Sequence, residues 1–211
     1  MQAATRIHPT AHIEDGVSIG AGTAVWEHVH VRGPSTIGRD CIIGEKTYIA
    51  YGVEIGDRVK INAFVYVCNA VTIEDGVMIA AGTIFTNDRF PRAATNDLRG
   101  LRPSEPDETT LPTRVSAGAT IGAGCVIGCD LTIGRFAMVG MGAIVTASVP
   151  DFHLVVGQPA RSVGCACRCG RPFVRFPNLE AAPDRIDATC DACGLRYVVD
   201  RGTVRELAPP V

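Results

Sequence analysis

Lysine is nearly absent: Lys46 and Lys60 are the only two among 211 residues, and arginine supplies the rest of the 20 basic side chains. The 22 acids are interspersed with them, the net charge is −2, and no basic block forms, which excludes a nucleic-acid footprint. Runs of about 18 apolar residues are also missing. Met1-Gln2-Ala3-Ala4-Thr5-Arg6 does not lead into the apolar core of a secretion signal, so the expectation is a cytoplasmic protein without membrane contact. Histidine is confined to His8, His12, His28, His30 and His153, leaving none between 31 and 152. The nine cysteines are odd in number, which with the missing signal argues against a disulfide framework.

What is present is a beat of six. From Ile7, every sixth residue is apolar: Ile13, Ile19, Val25, Val31, Ile37, Ile43, Ile49, Ile55, Ile61, Val67, Ile73, Ile79 and Phe85. After a pause, Val115, Ile121, Ile127, Ile133, Val139 and Val145 keep the same phase. Four residues beyond an anchor comes a small or modest side chain, as at Val17, Thr23, Cys41, Val53, Val71, Ala119, Cys125 and Ala143. β-Branched anchors favour pleated backbone, so each hexad reads as a short strand plus a turn. Strands this short must stack. Three hexads, or 18 residues, close one triangular coil, and 20 hexads build nearly seven coils, a column on the order of 33 Å long at roughly 4.8 Å per coil. An alternating sandwich would need period two, which is not seen.

The beat fails at "FTNDRFPRA" and returns at Val115, predicting an excursion over about residues 88–114. A loop of that length is more than a connection and can reach a neighbouring column. Past residue 164 the beat ends. Cys167-x-Cys169 and Cys190-x-x-Cys193 then place two cysteine pairs in glycine-bearing turns, which reads as a four-thiolate site for a structural Zn²⁺ in a zinc-ribbon-like module over 165–211. Cys165 competes with Cys167 as ligand, and buried or free thiols are the plainer alternative.

The hexads resemble those of the hexapeptide-repeat acyltransferases, and the resemblance implies an all-β, left-handed parallel β-helix over 1–164. Handedness comes from the likeness alone, since ordinary parallel crossovers are right-handed. "FTNDRFPRA", "VKINAFVYVCNAVTIEDGV", "VVGQPAR" and "CRCG" together look like the nucleotide-amino-sugar 3-N-acetyltransferases. That implies acetyl-CoA as cosubstrate, a UDP- or dTDP-linked amino sugar as acceptor, and a homotrimer with sites between columns. Other small acceptors and a non-catalytic scaffold are the competing readings. The missing central histidines disfavour a carbonic-anhydrase-like site of three imidazoles.

Asn87 is expected to align the substrate amine, with Asp88 on the sugar or the loop backbone and Arg92 neutralising a carboxylate or pyrophosphate. Steps of 18 back from Asn87 reach Asn69 and Tyr51, predicting a ladder up one corner. A second ladder, His30, Tyr48 and Tyr66, offers stacking surface for a base. Asn69 equally suits a purely structural corner. Lys60 and Asn62 stand where the resemblance has a Lys-Ile-Gln-Asn run, here Lys60-Ile61-Asn62-Ala63. For the coenzyme, Ala117, Gly118, Ala119, Gly140 and Met141 let a thin pantetheine arm approach the backbone. Pro159 and Arg161 lie in the exit segment, where Arg161 is a phosphate partner or a surface ion pair. A primary amine with pKa near about 8 and a thiolate leaving group require alignment more than a strong base, although His30 or His153 remain candidates for one.

Overall fold

The computed structural model describes residues 4–176 and 184–207; residues 1–3, 177–183 and 208–211, including the chain start and parts of the expected zinc module, lie outside the described residues. Twenty strands of two or three residues, Arg6–Ile7 through Ile144–Val145, follow the hexads. They line up as three parallel faces of a β-helix. The first face holds Ala24–Val25, Ile42–Ile43, Lys60–Ile61 and Met78–Ile79; the second holds His30–Val31, Tyr48–Ile49, Tyr66–Val67 and Ile84–Phe85; the third holds Ser35–Ile37, Glu54–Ile55 and Val71–Ile73. Pairing is by steps of 18, as in Lys60 with Ile42 and Tyr66 with Tyr48.

From Val25 onward every anchor is buried. Ile7 is 44% exposed, and Ile13 and Ile19 are only half-buried, because among the described residues no coil lies beneath theirs. Small inward residues at the corners carry polar atoms without penalty because the next coil presents carbonyls to them. Thr23 Oγ1 donates to Gly38 O at 2.8 Å, Thr47 Oγ1 to Asn62 O at 3.0 Å, and Cys41 Sγ to Gly56 O at 3.2 Å.

Most corners place the third residue after the anchor at positive φ. Glycine takes Gly16, Gly52, Gly82 and Gly124, but His28, Asp40, Lys46, Phe64 and Phe136 accept the same geometry. Coil stacking therefore overrides local preference at those corners. The glycine directly after an anchor has a different reason. A Cβ on Gly122 would stand 2.5 Å from the backbone nitrogen of Met141, so the space between coils excludes it.

The excursion is an insertion rather than lost coils. Ile73 pairs directly with Val115, where an ordinary coil would have brought Pro91 into register. At the top, His153–Val156 continues the first face, and Arg161–Ala166 and Pro172–Arg175 extend it antiparallel. The boundary expected after residue 164 thus falls inside a strand. A three-stranded sheet, Arg185–Thr189, Arg196–Asp200 and Thr203–Leu207, follows. Among the described residues no helix is long and apolar enough to cross a membrane.

Gly122→Ala should lower stability by about 1–3 kcal/mol through the backbone clash. Gly124→Ala, which meets only open space at φ +66, should cost about 1 kcal/mol. Thermal unfolding of the two variants checks the order, and equal losses would refute the close-packing account.

Candidate functional site

Because Phe85 ends a second-face strand, the next residues form the corner leading to the third face. The excursion leaves there and returns there. Its base is pinched by Leu111 N donating to Asn87 O at 2.8 Å and by a bridge between Asp88 and Thr110. Asp88 turns its carboxylate onto the loop, accepting from Phe90 N at 2.9 Å, so its first role is to shape the turn. Arg89 pairs with Asp130 at 2.7 Å and ties the loop to a later coil. Arg92 is exposed and donates to Pro91 O, while Phe90 is 71% exposed on the outside of the loop. Among the described residues the Asn87 backbone carbonyl, and not its side-chain amide, is the hydrogen-bonding group.

Below it the ladder is present. Asn69 Nδ2 donates to Tyr51 O at 2.8 Å, so that amide ties coil to coil. The Arg32 guanidinium lies 5.2 Å from the Tyr51 ring. On the adjoining second face, His12, His30, Tyr48 and Tyr66 run as a row with ring centroids 4.8, 5.3 and 5.2 Å apart, the two tyrosines stacked within 5° of parallel.

The other expected residues lie elsewhere. Lys60 projects from the first face; Asn62 lies at its following corner beside a cavity of about 230 Å³ that Trp26 also lines. Gly140 and Met141, the latter 83% exposed, sit on that same corner higher up. There Gln158 donates to Gly142 O at 2.8 Å and Ala160 N to Ile144 O, which brings Pro159 and Arg161 beside them. Arg161 is exposed and donates to Ala160 O.

Ala117, Gly118 and Ala119 occupy the third corner. Ala117 N donates to Glu74 Oε2, the Phe136 ring covers Gly118, and Ala119 is fully buried, so its methyl group belongs to the core and cannot meet a ligand. Substrate and coenzyme candidates therefore stand on three different corners of one column. Beside Ala117 opens a cavity of about 620 Å³, lined by Thr36, Glu54, Thr72, Glu74 and Asp75, that sequence reading missed. Its one sequence signal is the step of 18 joining Thr36, Glu54 and Thr72.

In the tail the sulfurs of Cys167, Cys169, Cys190 and Cys193 lie within 4.8 Å of one another, with Cys167 to Cys193 at 3.4 Å and Cys169 to Cys190 at 3.6 Å. Cys165 is buried apart from them, against Val174 and Val199. Burial opposes ionisation of Cys190, but the backbone N–H groups of Ala192 and Cys193 and the neighbouring thiols outweigh it and bring its pKa down to about 7. Tyr197 is buried; its hydroxyl accepts from Arg168 N at 3.2 Å and faces Cys167 Sγ at 3.0 Å. Phe136 and Phe152 from the column complete this cluster with Phe173.

His153 is buried where column and tail meet. Its Nε2 faces Gly202 O at 2.6 Å and therefore carries the proton, so Nδ1 accepts from the Ser162 hydroxyl at 2.7 Å; burial lowers its pKa. Both ring nitrogens are thereby engaged in structure.

Residues 52–87 match the bacterial transferase hexapeptide (six repeats) family, and residues 34–69 match the hexapeptide repeat of succinyl-transferase. A dTDP-3-amino-3,6-dideoxy-alpha-D-galactopyranose 3-N-acetyltransferase from Aneurinibacillus thermoaerophilus is 35% identical over 95 residues, 45% of each chain, so the match spans less than half the length of that relative. Among solved structures, the N-acyltransferase AntD from Bacillus cereus, in complex with dTDP and 3-hydroxybutyryl-CoA, is similar at 23% identity with a TM-score of 0.53, covering 78% of this chain and 81% of that one. The acetyltransferase domain of PglB from Neisseria gonorrhoeae, with acetyl coenzyme A, is 18% identical with a TM-score of 0.48, covering 77% and 58%. The column is thus a β-helix of hexapeptide repeats, and over 45% of its length the chain is similar in sequence to a dTDP-amino-sugar 3-N-acetyltransferase.

Proposed function

We propose that this protein is an acetyl-CoA-dependent N-acetyltransferase acting on the 3-amino group of a UDP- or dTDP-linked amino sugar. The observation that carries the reading is the sequence match to a dTDP-3-amino-sugar 3-N-acetyltransferase, on a column whose one long excursion leaves beside Asn87. The neutral amine attacks the thioester carbonyl, a C–N bond forms as the C–S bond breaks, and the thiolate departs while the amine proton passes to solvent or to that thiolate. Neither step requires a strong acid or base, because the amine and thiol pKa values of about 8 and 8.5 are close to neutrality. Asn87 orients the amine through its side-chain oxygen, and the Tyr48–Tyr66 stack supplies a flat surface for the base.

One column does not gather all of these residues. Gly140, Met141, Pro159 and Arg161 share a corner that Asn87 does not, and on the second face Tyr66 and Ile84 leave apolar surface exposed beside the Asn87 corner. Sites formed between copies in a homotrimer reconcile this, one copy giving the Asn87 corner and its neighbour the coenzyme corner.

The four clustered thiols fit a tetrahedral Zn²⁺, whose sulfur ligands at about 2.3 Å stand about 3.8 Å apart. Cys167, Cys169, Cys190 and Cys193 would hold it, and a closed thiolate set gives the ion a structural role with no position for substrate.

A thiol-release assay with acetyl-CoA and UDP- or dTDP-linked 3-amino sugars should show turnover, and Asn87→Ala should lower kcat/KM by about a hundredfold. No turnover of any such sugar would sink the reaction; full activity of Asn87→Ala would sink the alignment role. Sedimentation of the active species at the mass of one chain would end the trimer reading. Bound zinc should be one per chain and fall in Cys190→Ser; an unchanged content would remove the thiolate site.

A further inference from the structure

We infer that the first two coils carry a second metal site, built from His12, Glu14 and His30, for a borderline divalent transition-metal ion. The three donor atoms lie within 4.8 Å of one another. His12 and His30 are register partners on adjacent coils, so the coil-to-coil step holds their rings face to edge with centroids 4.8 Å apart. Glu14 follows on the same coil as His12, and its Oε1 already meets His30 Nε2 at 2.8 Å.

The carboxylate is also held from behind. Gly33 N donates to Glu14 Oε2 at 3.3 Å and Arg32 Nε to Oε1 at 3.3 Å, contacts of the kind that orient metal-ligating carboxylates. Ligands around a tetrahedral ion with bonds of about 2.1 Å stand about 3.4 Å apart. Forming the site therefore requires up to about 1.4 Å of inward motion, which exposed His12 can supply, and opens the 2.8 Å Glu14–His30 contact by about 0.6 Å.

Two imidazoles and one carboxylate select an ion such as Ni²⁺, Zn²⁺ or Co²⁺ over Mg²⁺ or Ca²⁺, which require more oxygen ligands than this site has. Binding rearranges one proton: His30 Nε2 now donates to the carboxylate, and as the metal takes that nitrogen the proton moves to Nδ1 through solvent. The site lies three coils from Asn87, about 14 Å along the column, and does not rest on the acyl-transfer reading.

The test uses the tag-free full chain with its cysteines loaded with zinc, titrated with Ni²⁺ by calorimetry. One Ni²⁺ per chain should bind, His12→Ala and Glu14→Gln should each weaken it about tenfold or more, and His8→Ala should leave it unchanged. His12 is exposed, so its variant should unfold at the wild-type temperature. Absence of saturable Ni²⁺ binding, or binding that both His12→Ala and Glu14→Gln leave intact, would overturn the site.

Discussion

The column depends on one spacing: away from the excursion and the top, a residue is stacked on the residues 18 before and 18 after it. The constraint is backbone pairing between coils, as in Ala24 N to Cys41 O and Gly20 N to Ile37 O, both 2.8 Å. It determines which side chains are buried, which corner each polar residue occupies, and how closely two coils approach. Gly122 is glycine because of the backbone one coil above it. Asn69 gives its amide to Tyr51 for the same reason, and the His12–His30–Tyr48–Tyr66 row is that spacing seen from outside.

Such a column is regular and has little chemistry of its own. Its distinctive sites come where the spacing is interrupted or ends. The excursion lengthens the chain between consecutive strands without shifting the register, so the coils above and below stay paired as though it were absent. The tail seals the top by burying Phe152 of the column with Tyr197 and Cys167. At the other end, where no described coil lies below, Ile7 stays open.

Much of this was legible in the sequence because period six reports burial directly. Anchors from Val25 onward, the corner ladder and the Cys190-x-x-Cys193 half of the thiol cluster needed only counting. The first anchors misled, since periodicity marks direction and says nothing of whether a neighbouring coil exists. Ala119 looked like a small residue available to a ligand, yet its position four beyond an anchor turns it inward. Cys165 could not be separated from Cys167 by spacing; strand pairing with Pro172–Arg175 buries it away from the other thiols. Glu14 and Arg32 were overlooked because their contact joins side chains of unlike type on successive coils, which leaves no repeated letter.

The central claim is that the column folds by its own stacking and that the excursion carries the site. It is tested most directly by deleting the segment 88–111, which returns Val115 to the register position of Pro91, with Pro112→Gly so that the restored corner can take positive φ. The account predicts an unchanged β-sheet circular dichroism spectrum and a cooperative thermal transition like that of the parent, with acetyl transfer from acetyl-CoA to the nucleotide amino sugar abolished. A shortened chain that unfolds, or one that folds and still transfers the acetyl group, would contradict it.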